Sequence, residues 1–181
     1  MPAHIAIRPI GPGDEAGVQQ YASDARLAAT CNVPHPYPPD GGKQFVERSI
    51  AAADAGERHV FAVTAYDKFA GLMTLNAVNP AGGTAELDYW IAVPFWGMGV
   101  GTAAARLAAE FAFRILGLTL LRSGCLTTNP ASSRVLEKNG FVRSATLTNE
   151  GTYGAKHAGA RIHRHQLRRE DWEAALSEVR P

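Results

Sequence analysis

The segment 87–113, LDYWIAVPFWGMGVGTAAARLAAEFAF, constrains the fold more than any other part of the chain. An apolar strand pattern stops at Pro94, three alternate glycines follow at Gly97, Gly99 and Gly101, and an alanine-rich helical pattern then begins. A glycine loop between a strand and a helix turns successive backbone N–H groups toward one point, where the helix dipole also favours negative charge. The pattern therefore predicts an anion cradle whose guest carries phosphate.

Composition limits the class of protein. With 181 residues, 46% of them hydrophobic, the chain is expected to form one domain, residues 1–181, around its own core. A formal net charge of +1 provides no overall field toward nucleic acid or a membrane surface, so neither partner is expected. Cys31 and Cys125 lack metal-ligand spacing and favour a reducing compartment. No signal-peptide pattern or membrane-length apolar run is visible, so the sequence predicts a cytoplasmic protein.

Periodicity and turn residues predict a mixed α/β fold. The predicted strands cover residues 4–9, 58–66, 69–79, 85–93, 118–126, 141–149 and 160–169, and the predicted helices cover 13–29, 40–55, 102–116, 130–140 and 170–179. The second to fourth strands are expected to be antiparallel. Because a helix joins the fourth and fifth strands, these two should run parallel and lie close together.

Some details of these elements are also predicted. Asp40 is expected to cap the second helix, and a turn is expected over 151–159. On the helix at 102–116, the residues expected to face the sheet are Ala104, Leu107, Ala108, Phe111 and Ile115.

Two common phosphate-binding classes do not fit the glycine loop. A Walker loop needs Gly-Lys-Ser/Thr at its end, but Gly101 is followed by Thr102 and the loop holds no lysine. A dinucleotide fingerprint needs an acidic residue at the end of the next strand, and the strand at 118–126 contains none. A ligand-free turn also remains an explanation of the glycines taken alone.

Three segments in order resemble the GNAT acetyltransferase superfamily, in particular its RimJ/RimL-like branch of N-acetyltransferases. They are AELDYWIAVPFWGMGVGTAA at 85–104, NPASSRVLEKNGF at 129–141 and LRREDWEAAL at 167–176. The resemblance covers essentially the whole chain. It implies a GNAT-like α/β (α+β) fold, with a mixed, mostly antiparallel, twisted and splayed sheet of about seven strands flanked by helices.

The resemblance also implies how acetyl-CoA would bind. Its pyrophosphate would accept hydrogen bonds from the N–H groups of the loop, its pantetheine arm would pair with main chain at the end of the fourth strand, and an asparagine would contact the arm. The residues concerned are Met98, Gly99, Val100, Gly101 and Thr102 for the pyrophosphate, Ile91 and Val93 for the arm, and Asn129. Met98 stands where a lysine or arginine is common in the family, which removes a cation from the predicted site.

Acetyl transfer to an amine needs a proton acceptor, since alkyl amines are mostly protonated at neutral pH. The resemblance places an acid at Glu86 in the acceptor cleft, although a solvated glutamate at a strand end is an alternative. Asp88 has the same side-chain parity, so it could share or replace that role, or it could shape acceptor choice.

The thiolate of CoA then needs a proton. The tyrosine that many GNAT proteins use is replaced by Leu136, so Ser132 or Ser133 becomes the candidate donor to sulfur. A first-turn helix residue explains Ser132 equally well. Cys125 is expected to pack as a small hydrophobe, since no histidine or lysine flanks it.

The proline loop, CNVPHPYPPD at 31–40, resembles the segment that closes over the acceptor in this family. His35 and Tyr37 are its candidate acceptor contacts, or aromatic residues that close a helix corner. The basic segment 156–169 is interpreted as a charged strand whose exposed cations discourage edge pairing, rather than an RNA contact. His163 and His165 share a strand face without a third ligand, so no metal is expected.

The sequence thus predicts an acetyl-CoA-dependent N-acetyltransferase acting by direct transfer in a ternary complex, with no metal. The amine acceptor is a protein N-terminus or a small molecule. The alternative is a non-catalytic acyl-CoA-binding or sensing module, which the missing tyrosine and Met98 motivate. A homodimer is expected only because it is common in the resembled branch.

Overall fold

A seven-stranded sheet forms the centre of the protein in a computed structural model that describes residues 4–151 and 154–178. Within those residues the strands run in the order β1-β2-β3-β4-β5-β7-β6, and only β4 and β5 are parallel neighbours. Their bounds are β1 Ile5–Pro9, β2 His59–Ala65, β3 Lys68–Asn79, β4 Thr84–Ile91, β5 Leu120–Leu126, β6 Val142–Thr148 and β7 Arg161–Arg168. The predicted mixed, mostly antiparallel sheet is confirmed.

Helices cover both faces of the sheet. In the described residues they are α1 Glu15–Ala22, α2 Ala25–Ala28, α3 Gly41–Asp54, α4 Val100–Glu110, α5 Pro130–Glu137 and α6 Arg169–Glu178. On one face, α1 and α3 bury Val18 and Val46 against Leu72 of β3. On the other face, Ala104 of α4 and Leu136 of α5 join the larger core. No helix in these residues is long and apolar enough to cross a membrane.

The sheet splits between β4 and β5. The two strands pair only from Thr84 to Leu87 of β4, although β4 continues to Ile91. At the point of divergence, the Ser123 hydroxyl of β5 donates a 2.7 Å hydrogen bond to the Leu87 carbonyl. Beyond it, the edge of β4 that would face β5 has no strand partner, so a gap opens inside the sheet.

The end of the helix after the glycine loop differs from the prediction. Its last turn, Phe111–Ile115, is π-helical, and the Leu116 N–H bonds to the Phe111 carbonyl five residues back. The wider turn changes the phase of the helix, so Phe113 is buried while Ile115 is 70% exposed. The expectation that Ile115 faces the sheet is therefore wrong.

Three other boundaries differ from the sequence interpretation. The first helix breaks at Asp24, whose carboxylate accepts from the Arg26 N–H and starts α2 with extended backbone. Asp40 precedes α3 but its side chain caps no backbone N–H; it accepts instead from the Gln44 amide. The fourth strand ends at Ile91 because a 3-10 turn begins at Val93. Residues 152 and 153 of the predicted turn and residue 179 of the predicted last helix lie outside the described residues.

The basic segment does not form an edge. Strand β7 lies between β5 and β6, so the interpretation of its cations as edge protection is wrong. Two of the charged groups in the basic segment have internal partners: Arg164 of β7 pairs with Glu86, and Arg169, the first residue of α6, donates to the Phe113 carbonyl. Strand order across a sheet depends on long-range packing, which local sequence does not reveal.

Candidate active site

A cavity of about 680 Å³ occupies the gap between β4 and β5, and we call it the fork cavity. It passes through the sheet. On the face of α1 and α3 it is lined by Leu72, Thr74, Asn76, Asp88 and Trp90, and on the face of α4 and α5 by Tyr89, Gly101, Ser132 and Val135. The volume suits a small-molecule site. Because the cavity reaches both faces, two ligands can meet in it from opposite sides.

The glycine loop forms one wall of the fork cavity. Gly97 and Gly99 have φ angles of 75° and 78°, in the left-handed region that favours glycine, and a Cβ at either would meet no atom within 4 Å. Gly101 differs, because its backbone is ordinary helix and a Cβ there would lie 3.4 Å from Ile91 and 3.5 Å from Val135. Two of the three glycines are thus required by backbone conformation, and both face open space.

Backbone donors converge beside these glycines. The first intrahelical bond of α4 runs from Ala103 N to Gly99 O at 3.0 Å, so the N–H groups of Val100, Gly101 and Thr102 have no intrahelical acceptor. Trp96 folds back and donates from Nε1 to the Ile91 carbonyl at 2.6 Å, which fixes the loop to the end of β4. Free N–H groups at a helix N-terminus fit a phosphate group.

Only some of the other residues that the sequence predicts to bind acetyl-CoA line the fork cavity. Ile91 and Asn129 line the fork cavity, whereas Val93 and Met98 do not, and Met98 is 46% exposed. Asn129 caps α5, accepting from the Ser132 N–H at 3.2 Å and donating to the Thr30 carbonyl at 3.4 Å. Its amide is therefore held by the fold at the cavity wall.

Two cationic side chains that were not predicted from the sequence as site residues lie near the glycine loop. Arg134 lies on α5 and Lys138 immediately follows that helix, four residues on; both line the fork cavity, and neither makes an ion pair with any described residue. Asn139 joins α5 to α4, since its Nδ2 donates to the carbonyls of Val135 at 2.8 Å and Thr102 at 3.1 Å. Their spacing of four was visible in the sequence, and they bring positive charge to the cavity wall, whereas Met98 brings none.

The two candidate carboxylates have different surroundings. Both oxygens of Glu86 accept from Arg164 Nη2 at 2.8 Å, and Glu86 borders a neighbouring cavity of about 400 Å³ instead of the fork cavity. Asp88 borders both cavities, its side chain is exposed to them, and its carboxylate accepts from Asn76 Nδ2 at 2.6 Å. Asp88 alone of the pair therefore faces the gap between the strands.

Burial raises the pKa of the Asp88 carboxyl above its ordinary value. The hydrogen bond from Asn76 opposes that rise, the negative charge of Glu86 adds to it, and Arg164 and Arg58 oppose it. A carboxylate with a raised pKa is a stronger base while it stays ionised, so this environment suits proton removal.

A tyrosine lies on the opposite face of β4. The Tyr89 hydroxyl lies 2.8 Å from Ser132 Oγ and 3.2 Å from the Ser132 carbonyl, and both side chains line the fork cavity. Burial raises the pKa of the Tyr89 phenol well above its ordinary value, against the opposing hydrogen bond with Ser132. The phenol is therefore protonated at neutral pH and available as a hydrogen-bond donor.

Ser133 and Cys125 are turned away from the cavity. Ser133 is buried and its Oγ lies 2.9 Å from Glu137 Oε1 and 3.1 Å from His165 Nε2. Cys125 is 1% exposed, and burial raises the pKa of its thiol, as expected of a small packed hydrophobe. The described residues contain no group of three or more histidine, cysteine or acidic side chains that could hold a metal ion.

The proline loop covers the cavity on the face of α3. Tyr37 lines the cavity and packs closely over Gly41, whereas His35 is exposed and does not line it. The loop is tied to the segment before β7: Lys156 Nζ donates to the carbonyls of Ala28 and Val33, and His157 hydrogen-bonds to the Cys31 carbonyl. Part of the basic segment thus holds this wall of the fork cavity in place.

Comparison with known proteins identifies the family of this chain. Residues 4–142 match the family described as the acetyltransferase (GNAT) domain. This chain belongs to the GNAT family. Over 105 residues it is 24% identical to the ribosomal-protein-serine acetyltransferase of Escherichia coli K12, covering 58% of this chain and 59% of that relative. It spans less than half of the length of two Bacillus subtilis relatives.

Solved structures share the fold of this GNAT domain. RimJ of Mycobacterium smegmatis in complex with CoA-disulfide has a TM-score of 0.83 at 18% identity, covering 97% of this chain and 90% of that one. The spermidine N-acetyltransferase of Vibrio cholerae in complex with CoA and spermine has a TM-score of 0.80 at 18% identity, covering 93% and 98%. The predicted family and fold are both confirmed.

One signal in the GNAT domain's sequence could have located Tyr89. Along β4 the residues Ala85, Leu87, Tyr89 and Ile91 alternate onto the face of the larger core. A hydroxyl in that otherwise apolar series needs a partner, and a partner in the helix beginning at residue 130 is the obvious choice.

Proposed function

We propose that this protein is an acetyl-CoA-dependent N-acetyltransferase that transfers the acetyl group directly to an amine. The observation that carries the proposal is the passage through the sheet. Asp88 stands on one side of it and the Tyr89–Ser132 pair on the other, with the glycine loop beside the second. A donor and an acceptor entering from opposite faces would meet between a base and a hydrogen-bond donor, as direct transfer in a ternary complex requires.

The residues present fit acetyl-CoA on the donor side. The free N–H groups at the start of α4, together with Arg134 and Lys138, would hold its pyrophosphate. The unpaired edge of β4 toward Ile91 offers backbone groups to an amide-bearing arm, and Asn129 stands at the same wall. Acetyl-CoA supplies the activated acetyl group as its thioester.

We assign proton removal to Asp88. The sequence favoured Glu86, but the Glu86 carboxylate is engaged by Arg164 and lies outside the fork cavity. Asp88 faces the cavity and has a raised pKa, so it is suited to take the proton of the attacking amine directly or through water. Glu86 then acts through charge, since it raises the pKa of Asp88.

We assign to Ser132 the role of hydrogen-bond donor to the sulfur atom of CoA. Tyr89 is then the residue that positions Ser132. The Tyr89 phenol stays protonated and can donate to Ser132 Oγ, which leaves the serine proton free to point into the cavity. A donor aimed at the position where negative charge develops stabilises the transition state. The donor thus stays on α5, and the tyrosine that supports it comes from β4.

A pair of isosteric variants tests the assignment of the base. Asp88→Asn should lower kcat by about 10²- to 10⁴-fold, the range of general base catalysis, while acetyl-CoA affinity is retained. Glu86→Gln is the matched control and should have a much smaller effect on kcat. Turnover is followed as CoA release and affinity by calorimetry. A loss in Glu86→Gln equal to or greater than that in Asp88→Asn would return the role to Glu86.

The alternative of a non-catalytic acyl-CoA sensor rested on the missing tyrosine and on Met98. Tyr89, Arg134 and Lys138 remove much of its motivation. An amine panel separates the two, since a sensor binds acetyl-CoA without releasing CoA. Relatives are named for acceptors as different as spermidine and ribosomal proteins, so the proposal includes small amines and protein N-termini. Homodimerisation and a cytoplasmic location stay predictions.

A further inference from the structure

The acceptor side of the fork cavity carries two cationic side chains that the proposed chemistry does not use. Arg48 lies on α3 and Arg58 immediately precedes β2, and both line the cavity on the face that holds Asp88. Neither guanidinium has a carboxylate within 4 Å among the described residues. Arg48 makes one long contact, 3.5 Å from Nη1 to Gln44 Oε1. Their charges are therefore available to a ligand.

Arg58 is the more informative of the two. Its Nε is buried without a hydrogen-bond partner among the described residues, and its guanidinium carbon lies over the Phe45 ring, 5.6 Å from the ring centroid. This cation–π contact holds the group against the ring and leaves its terminal N–H groups for an anion. Burial lowers the pKa of Arg58, Asp88 opposes this, and the nearby Arg48 adds to it. The Nε atom itself is closed off, so a ligand in the cavity would bind the terminal nitrogens of the guanidinium, which have no hydrogen-bond partner among the described residues.

The charges on this side also exclude one class of acceptor. Asp88 is the carboxylate that faces the cavity here, since Glu86 lies outside it and is paired with Arg164. A polyamine would bring several positive charges toward Arg48 and Arg58, which is unfavourable in a partly dehydrated cavity. A molecule with one amine near Asp88 and one anionic group near the guanidinium pair would instead match the charges on both sides.

We propose that the acceptor is a primary amine that also carries an anionic group, a carboxylate or a phosphate, held by Arg58 and Arg48. This inference rests on the proposed function, because it names the substrate class of the same site. The amine lies at Asp88 and the anion beneath α3, under the part of the proline loop that carries Tyr37. The arginine pair thus determines specificity and does not take part in proton transfer.

The test compares acceptors that differ only in their anionic group. O-Phosphoethanolamine is paired with ethanolamine, and free L-amino acids are paired with their amides; spermidine is included as a polycation. A peptide that begins with Asp is compared with one that begins with Asn. A preference for the first would show that the anionic group is an acidic side chain at a protein N-terminus. Loss of a hydrogen bond to a charged group corresponds to a roughly ten- to hundredfold lower kcat/KM. We therefore expect the anionic acceptor of each pair to have a kcat/KM higher than that of the neutral acceptor by about that factor.

Variants show whether the arginines cause the preference. Arg58→Gln and Arg48→Gln should each reduce kcat/KM much more for anionic acceptors than for their neutral counterparts. Arg106→Gln, an exposed substitution on α4 outside the cavity, is the matched control. Equal losses for both members of a pair would mean that Arg58 acts only on Asp88, and would overturn the inference. Preference for spermidine or for the neutral member would overturn it as well.

The outcomes keep the two proposals apart. Turnover of neutral amines alone would leave the N-acetyltransferase proposal standing and refute the anionic acceptor. If no amine is turned over although acetyl-CoA binds, the proposed activity fails, and binding then decides the inference. In that case O-phosphoethanolamine, titrated by calorimetry in the presence of CoA, should still bind more tightly than ethanolamine, and the difference should disappear in Arg58→Gln. Equal binding would refute the inference.

Discussion

Alanine substitutions at three glycines separate backbone strain from ligand binding. Gly99 has a φ of 78° and borders the proposed pyrophosphate site. Gly56 has a φ of 72° at the end of α3, a Cβ there would meet nothing within 4 Å, and it lies outside the fork cavity. Gly101 is in ordinary helix, where a Cβ would make only normal contacts with Ile91 and Val135. The three positions thus differ in one property at a time.

The expected changes in the free energy of unfolding follow from these backbone conformations. Alanine in the left-handed region costs about 1–2 kcal/mol, so Gly99→Ala and Gly56→Ala should lower the free energy of unfolding by that amount. Gly101→Ala should be neutral or raise it by up to about 1 kcal/mol, because alanine is the better helix former. The gap of roughly 2 kcal/mol corresponds to about 4–8 °C in Tm for a chain of this size.

Calorimetry with acetyl-CoA supplies the second measurement. Only Gly99→Ala should bind acetyl-CoA more weakly, because its new methyl group enters the open space beside the free N–H groups of α4. Gly56→Ala has the same strain and should bind like the wild type. Wild-type affinity in Gly99→Ala would refute the anion cradle, and a Gly101→Ala variant as unstable as Gly99→Ala would refute the conformational argument.

Three further predictions concern the walls of the cavity. Trp96→Phe removes the hydrogen bond to the Ile91 carbonyl and should cost about 1 kcal/mol, or roughly fivefold, in acetyl-CoA affinity by calorimetry. Asn76→Ala removes a hydrogen bond that favours ionised Asp88, so the acidic limb of the kcat/KM profile should move to higher pH; an unmoved limb would argue against Asp88 as the base. Lys156→Met should free the proline loop, raising KM for the acceptor and speeding amide hydrogen exchange in the loop without changing acetyl-CoA affinity.

The parts of the fold that the sequence predicted correctly depend on neighbouring residues. The glycine loop, the three antiparallel strands and the parallel β4–β5 pair each follow from turn chemistry, alternation or a single helical crossover. Gly97 and Gly99 could be recognised from the sequence because a backbone position with a positive φ angle favours glycine. Local information was sufficient for these features.

The parts that could not be predicted depend on residues far apart in the chain. Tyr89 and Ser132 are 43 positions apart, and Arg164 and Glu86 are 78 apart. Nothing in the local pattern of β4 distinguishes Glu86 from Asp88, since they share parity; their different partners decide it. The π-helical turn that exposes Ile115 is equally invisible, because it arises from packing at the end of α4.

The divergence of β4 from β5 also bears on aggregation. An unpaired strand edge on the outside of a protein can recruit another chain, and edges are normally protected by charges, prolines or bulges. Here the unpaired stretch of β4 carries Tyr89, Trp90 and Ile91, an apolar run that would be hazardous at an outer edge. It is harmless because β5, anchored by Ser123, and the glycine loop keep foreign strands out while a narrow ligand can still enter. An unpaired strand edge enclosed within a sheet is therefore less exposed to other chains than the same edge would be on the outside.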